Sequence, residues 1–156
     1  YEQMDFRHEN IRTAQRKTCE WLLEHPAYTA WSQAHTQSEP HVFLWINGKP
    51  GAGKSTLIKY AHTHAEKVKE GNEILVAFFF NAQGTELQKS VAGMCRAVLY
   101  QIFVAAPDLQ HLLDKARERA VFGWPLAELQ SLLLAVVSEL GRRRLKCFID
   151  ALDECD

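Results

Sequence analysis

Nine consecutive residues, Gly48-Lys49-Pro50-Gly51-Ala52-Gly53-Lys54-Ser55-Thr56, restrict what this chain can fold into more than any other segment. A glycine-rich run closing in Lys-Ser cradles phosphate when a strand feeds it and a helix leaves it. Both flanks fit. The apolar run Val42-Phe43-Leu44-Trp45-Ile46 reads as a strand, and Leu57, Ile58, Ala61, Ala65 and Val68 fall on one helical face. Glycines at 48, 51 and 53 admit backbone conformations that a Cβ forbids and let N–H groups crowd around an anion. The helix opening near Lys54 adds unsatisfied N–H groups and the positive end of its dipole. Lys54 then reaches the β- and γ-phosphates, and the Ser55 hydroxyl sits on Mg²⁺. Such a pattern arises by accident in roughly one chain of this size in a few hundred. The expectation is a nucleotide phosphate bound by residues 48–56.

A second motif lies near the other end. Leu145-Lys146-Cys147-Phe148-Ile149-Asp150 is a short apolar run finishing in a carboxylate, followed by Ala151-Leu152-Asp153-Glu154. A buried strand ending in Asp holds the metal of a phosphate-loop fold, and carboxylates just beyond it can orient an attacking water. Alone this signal is weak; beside the upstream loop it assigns Asp150 as the Mg²⁺ partner of Ser55. Asp153 or Glu154 is the water-orienting, catalytic group, with Glu154 slightly preferred.

With 156 residues the chain is one domain's worth, and its 47% apolar and 24% charged residues are ordinary for a globular protein. A net charge of −1 supplies no field to draw nucleic acid or an acidic membrane, so neither is an expected partner. No apolar stretch reaches membrane-spanning length and no signal-peptide pattern is present. The first residue is Tyr1, which suggests an internal piece of a longer protein. Cysteines 19, 95, 147 and 155 match no metal-ligand spacing. A nucleotide-using domain points to the cytoplasm, where they are reduced thiols. Cys19, Cys95 and Cys147 lie on apolar patterns and read as core residues. His62 and His64, two apart on a helix, cannot share a face as metal ligands.

The remainder alternates helices and strands without repeats. Residues 8–24 form an amphipathic pattern through Ile11, Ala14, Thr18, Trp21 and Leu22, ended by His25-Pro26. A polar connection spans about 32–41. The phosphate-loop helix runs to about Lys69 and stops at Gly71-Asn72. Ile74 to Phe80 is apolar without alternation, as in a parallel strand covered on both faces. Thr85 and Gln88 form a capping box for a helix carrying Leu87, Val91, Cys95, Val98 and Ile102. Pro107-Asp108 starts a shorter helix through Leu112, Leu113 and Ala116. Trp124-Pro125 opens another, with Leu129, Leu132, Leu133, Val136 and Leu140 inward and Gly141 as its C-terminal cap. Arg142-Arg143-Arg144 favours the negative end of that helix and keeps a loop in water. The fold class is α/β, a parallel sheet flanked by helices.

Four stretches together resemble a family: Trp45 to Leu57, Phe78-Phe79-Phe80-Asn81, Val98-Leu99-Tyr100-Gln101-Ile102 and Phe148 to Cys155, with Thr18-Cys19-Glu20-Trp21-Leu22 upstream. They look like the NACHT domains of fungal NOD-like receptors, STAND-class signalling NTPases known from heterokaryon-incompatibility proteins. The resemblance implies a P-loop NTPase sheet, with residues 1–40 a helical lead-in and 41–156 the N-terminal part of the NACHT domain. It assigns the phosphates to Gly48–Thr56, the metal to Asp150 and Ser55, and a displaced acidic pair to Asp153 and Glu154. Ala151 stands where ordinary AAA-type ATPases carry a catalytic Glu, which implies a slow ATPase. In this class a later strand lies between the phosphate-loop strand and the one bearing Asp150. Residues 1–156 alone therefore leave an apolar gap in the sheet.

The favoured function is a switch: ATP, ADP or GTP with Mg²⁺ controls oligomerisation of a larger receptor into a homo-oligomer, through different affinities for two conformations. A small-molecule kinase would use the same loop but needs a basic lid. The one Arg-dense segment, 142–144, is poorly placed for that. A non-hydrolysing nucleotide-binding scaffold is the third reading.

Overall fold

The computed structural model describes residues 11, 18–33, 43–117 and 123–155. At its centre two parallel strands, β1 (Glu73–Phe79) and β2 (Arg144–Asp150), pair in register from Glu73↔Arg144 to Phe79↔Asp150. Helices cover both faces, giving a mixed α/β arrangement. In chain order these are α1 (Trp21–Glu24), α2 (Pro26–Gln33), α3 (Lys54–Val68), α4 (Glu86–Lys89), α5 (Val91–Ala105), α6 (Gln110–Arg117) and α7 (Leu126–Ser138). Short 3-10 turns occupy Pro107–Leu109 and Leu152–Glu154.

The unbroken apolar run of β1 is explained by this layering. Ile74 and Val76 face a core built from Val98, Ile102 and Phe103 of α5, Leu112 of α6, and Leu129, Leu132 and Val136 of α7. Leu75 and Phe148 face the opposite layer, with Leu22, Tyr28, Leu57, Ala61 and Ala65. A third cluster, Phe78, Phe80 and Ala97, lies under the ends of the strands and takes in Met94, Ile149, Ala151 and Cys155.

Several expectations change. The run 42–46 does not form a strand where it is described. Residues 43–49 have no ladder partner, and Leu44 and Ile46 pack partly buried on the second core while Phe43 and Trp45 are 87% and 73% exposed. A strand needs a hydrogen-bonding neighbour, and the described residues supply none. Cys147, expected in the core, is exposed for a related reason: it shares a face with Val76, but the helices cover β1 and leave this part of β2 open. Ala14 and the other residues at 12–17 of the first helical pattern lie outside the described residues. The remainder gives α1, and Pro26 then starts α2, which apolar spacing did not reveal.

The long helix expected after Thr85 is broken at Ser90. The Thr85/Gln88 capping box is present, but Ser90 is extended and its hydroxyl accepts from the Gly93 N–H at 3.2 Å, capping α5. Gly93 permits the bend, since a Cβ there would stand 1.9 Å from the Leu87 carbonyl oxygen. The C-terminal cap expected at Gly141 falls earlier: α7 ends at Ser138 with Glu139 as its C-cap, and Gly141, with φ of 65°, makes a left-handed turn two residues further on. Two of the three arginines form ion pairs: Arg143 binds the Asp108 carboxylate, and Arg144 binds Glu70 at 2.6 Å and Glu73 at 3.2 Å, while Arg142 is exposed. Among the described residues, no three His, Cys, Asp or Glu side chains could hold a metal together, and no helix is long and apolar enough to cross a membrane.

Gln101 of α5 does what no motif announced. Its amide oxygen accepts from the Ala77 N–H at 2.9 Å, and its amide nitrogen donates to the Ala77 carbonyl at 3.0 Å. A side chain thus stands in for a neighbouring strand on the outer edge of β1, the kind of edge that otherwise invites pairing with another chain. Gln101→Ala should lower the unfolding free energy by about 1–3 kcal/mol, the range for stranding half-buried backbone groups. An unchanged denaturation midpoint would contradict that role.

Candidate functional site

The loop 48–53 turns on two glycines. Gly51 and Gly53 have φ of 77° and 85°, in the left-handed region where a Cβ is strained. Gly48 does not share that need. A Cβ there would meet only Ala52 and Lys54 side-chain atoms at 3.7 Å or more, an ordinary contact, so the expected conformational role at 48 is not required. The loop is held by Gly48 N–H donating to Asn47 Oδ1 at 2.8 Å and Ala52 N–H donating to the Lys49 carbonyl at 3.1 Å. Lys49, Pro50 and Ala52 form its exposed outer turn.

Gly53 is the N-cap of α3, a 15-residue helix. Its first main-chain bond beyond the cap runs from the Leu57 N–H to the Gly53 carbonyl. The N–H groups of Lys54, Ser55 and Thr56 therefore precede the helical ladder, as at every helix start. No acidic residue sits in this first turn, so the dipole's positive end is left uncompensated. The Lys54 ammonium bends back over the loop and donates to the Gly48 and Lys49 carbonyls at 2.9 and 3.3 Å. Gly48, Lys49 and Lys54 are thereby brought together, with Ser55 half-buried beside them.

Asp150 ends β2. It is 3% exposed, and its main-chain carbonyl accepts from the Phe80 N–H at 3.1 Å. Its Oδ2 is buried and has no hydrogen-bond partner among the described residues. Burying a carboxylate oxygen without a donor or counter-charge costs several kcal/mol, on the order of the effective penalty for an ion in a protein interior. A hard divalent cation is the partner that an oxygen of this kind takes, so the residue fits the metal assigned to it. No hydrogen bond or ion pair joins Lys54 to Asp150 among the described residues. The two are linked through packing: His62 of α3 meets Phe148 edge-on at 5.1 Å, and Trp31 of α2 meets the same ring at 5.4 Å.

The chain after Asp150 turns sharply because Ala151 takes φ 56° and ψ 46°, the single non-glycine residue in the left-handed region among those described. Such a conformation costs roughly 1–2 kcal/mol for a residue with a Cβ. The turn closes by Glu154 N–H donating to the Ala151 carbonyl at 2.9 Å. Asp153 is exposed. The Glu154 carboxylate instead reaches across to the loop after β1 and accepts from the Ala82 N–H at 3.0 Å. The loop at 81–85 is thus part of this site, and nothing in the residue types of Asn81-Ala82-Gln83-Gly84 signals it.

Comparison with known proteins agrees with the motifs. The family profile described as Nephrocystin 3, N-terminal matches residues 17–156. The vegetative incompatibility protein HET-E-1 of Podospora anserina is 29% identical over 143 residues, 86% of this chain and 10% of that protein. The chain thus spans about a tenth of the curated relative it matches. No solved structure matches. The NACHT-type resemblance of residues 45–57 and 148–155 holds, and the chain belongs to the nephrocystin 3 N-terminal family.

Proposed function

We propose that residues 48–56 bind the phosphates of a nucleoside triphosphate or diphosphate as Mg²⁺ complex, within a P-loop NTPase domain that switches a larger signalling receptor. The observation that carries this reading is the Lys54 ammonium. It folds onto the Gly48 and Lys49 carbonyls at the mouth of a left-handed glycine loop that leads into α3. A cation so placed, ahead of helix-terminal N–H groups, suits an anion of several charges.

The chain's own parts divide the task. Main-chain N–H groups at 51 and 53–56 take the phosphate oxygens, and Lys54 exchanges its carbonyl contacts for the β- and γ-phosphates. Ser55 and Asp150 hold the metal, Asp150 through its unpartnered Oδ2. Bound there, Mg²⁺ neutralises phosphate charge and draws electron density from the transferable phosphoryl group. Of the acidic pair, Asp153 is the exposed carboxylate available to orient water while Glu154 accepts from the Ala82 N–H, and with Ala151 in the place next to Asp150 hydrolysis is slow.

For the whole protein the reading is a homo-oligomerising switch in incompatibility-type or innate-immune signalling in the cytoplasm. The likeness to a vegetative incompatibility protein supports it. Its physical requirement is unequal affinity of the two nucleotides for two conformations. Titration of a fluorescent ADP or ATP analogue into the chain, with Mg²⁺ and with chelator, tests the binding step. Asp150→Asn should weaken binding about tenfold with Mg²⁺ and leave it unchanged in chelator, since the substitution removes one charge-assisted metal contact. An equal loss in both conditions would refute the metal role.

A further inference from the structure

The turn that carries the acidic pair is pinned at three points. Ala151 and Cys155, at its two ends, pack on the Phe78, Phe80 and Ala97 cluster beneath the strands. Between them Glu154 reaches out of the turn, and its Oε2 accepts from the Ala82 N–H at 3.0 Å, across 72 residues of sequence. The loop on the far side of that bond is itself fastened. Asn81 N–H donates to the Gln88 carbonyl at 2.9 Å, and Thr85 N–H donates to the buried Gln88 side-chain oxygen at 2.9 Å. The two residues that point away are Leu152, 46% exposed, and Asp153, which makes no hydrogen bond or ion pair among the described residues.

From this we infer that Glu154 is a positioning residue: it clasps the turn after Asp150 to the loop after β1, and Asp153 is the carboxylate left open to solvent water. The reasoning is one of competing uses. A carboxylate oxygen engaged by a main-chain N–H is directed at that donor, and its partner loop is too well tied to follow it elsewhere. The strained Ala151 needs an outside restraint to keep the turn in place; the Phe80 N–H holds the Asp150 carbonyl on its near side, and the Glu154 bond is a polar restraint on its far side, reaching the loop after β1. The clasp itself stands whether or not nucleotide binds; its effect on the metal site rests on the nucleotide reading above.

An amide side chain can accept the same N–H through its oxygen, whereas a methyl cannot. A group acting through its negative charge would lose its role in both substitutions. Backbone amide exchange is therefore measured by NMR on the full chain without nucleotide, in Glu154→Ala, Glu154→Gln and Asp153→Asn. Exchange at Ala82 should quicken about tenfold in E154A, as loss of one hydrogen bond to a charged acceptor implies. It should stay within about threefold of the parent in E154Q and D153N. Mg²⁺-dependent affinity for a fluorescent ADP analogue should follow the same order, with E154A about tenfold weaker and E154Q nearly unchanged.

Unaltered Ala82 exchange in E154A would overturn the clasp, as would E154Q behaving like E154A in either measurement. A parent chain that binds no nucleotide sinks the proposed function instead, and the exchange result then judges the clasp by itself.

Discussion

Lys54→Ala should reduce the chain's affinity for a triphosphate by at least tenfold while leaving its unfolding midpoint nearly unchanged. The ammonium donates to the Gly48 and Lys49 carbonyls at the exposed mouth of the loop. Those carbonyls face water, so removing the donor strands no buried group, and the structural effect falls within the small range of surface substitutions. The loss at the ligand is larger, because a charge-assisted hydrogen bond to phosphate is among the strong ones and contributes about 1.5–3 kcal/mol. Titration of a fluorescent nucleotide analogue, read beside a urea melt, separates the two effects. Undiminished binding in the variant would remove the loop from consideration as the phosphate site. A collapse of stability would show that Lys54 serves the fold first.

Phe80→Ala carries the largest expected stability effect. The ring is fully buried at 0% exposure and meets Phe78 edge-on at 4.9 Å. Its own N–H donates to the Asp150 carbonyl, so the residue joins the end of β1 to the end of β2. Truncating a buried Phe costs about 3–5 kcal/mol through lost burial and the cavity left behind. Total stabilities of about 5–15 kcal/mol make that a large share. The cavity would open beneath Ala151 and Cys155, which pack on the same cluster. The denaturation midpoint should therefore fall sharply, and exchange at amides of the Leu152–Glu154 turn should rise with it. A shift below about 1 kcal/mol would mean that neighbouring side chains collapse into the space.

Much of the architecture is legible along the chain because it depends on near neighbours. The capping box at Thr85 and Gln88 and the helical start at Pro107 are decided within a few residues, and both appear, the second as a 3-10 turn leading into α6. The unbroken apolar run at 74–80 announces a parallel strand covered on both faces, and Ile74 and Val76 in one core with Leu75 in the other bear that out for β1. The break at Ser90 was less visible, since helical spacing of Leu87, Val91 and Cys95 continues across it. It takes the close approach of Gly93 to the Leu87 carbonyl to make the bend comprehensible.

The sequence by itself determined the glycine-loop type, the helix that follows it and the carboxylate at the end of β2, because each is written in residues adjacent along the chain. Tertiary structure alone decided that residues 43–46 lie outside the sheet and that Cys147 is uncovered. It also decided that Gln101 closes the edge of β1 and that Glu154 grips Ala82. The physical reason is range. A backbone conformation answers to its own turn of chain, whereas a ladder bond or a side-chain acceptor needs a donor brought from 24 or 72 residues away. Composition and periodicity carry no record of which donor arrives.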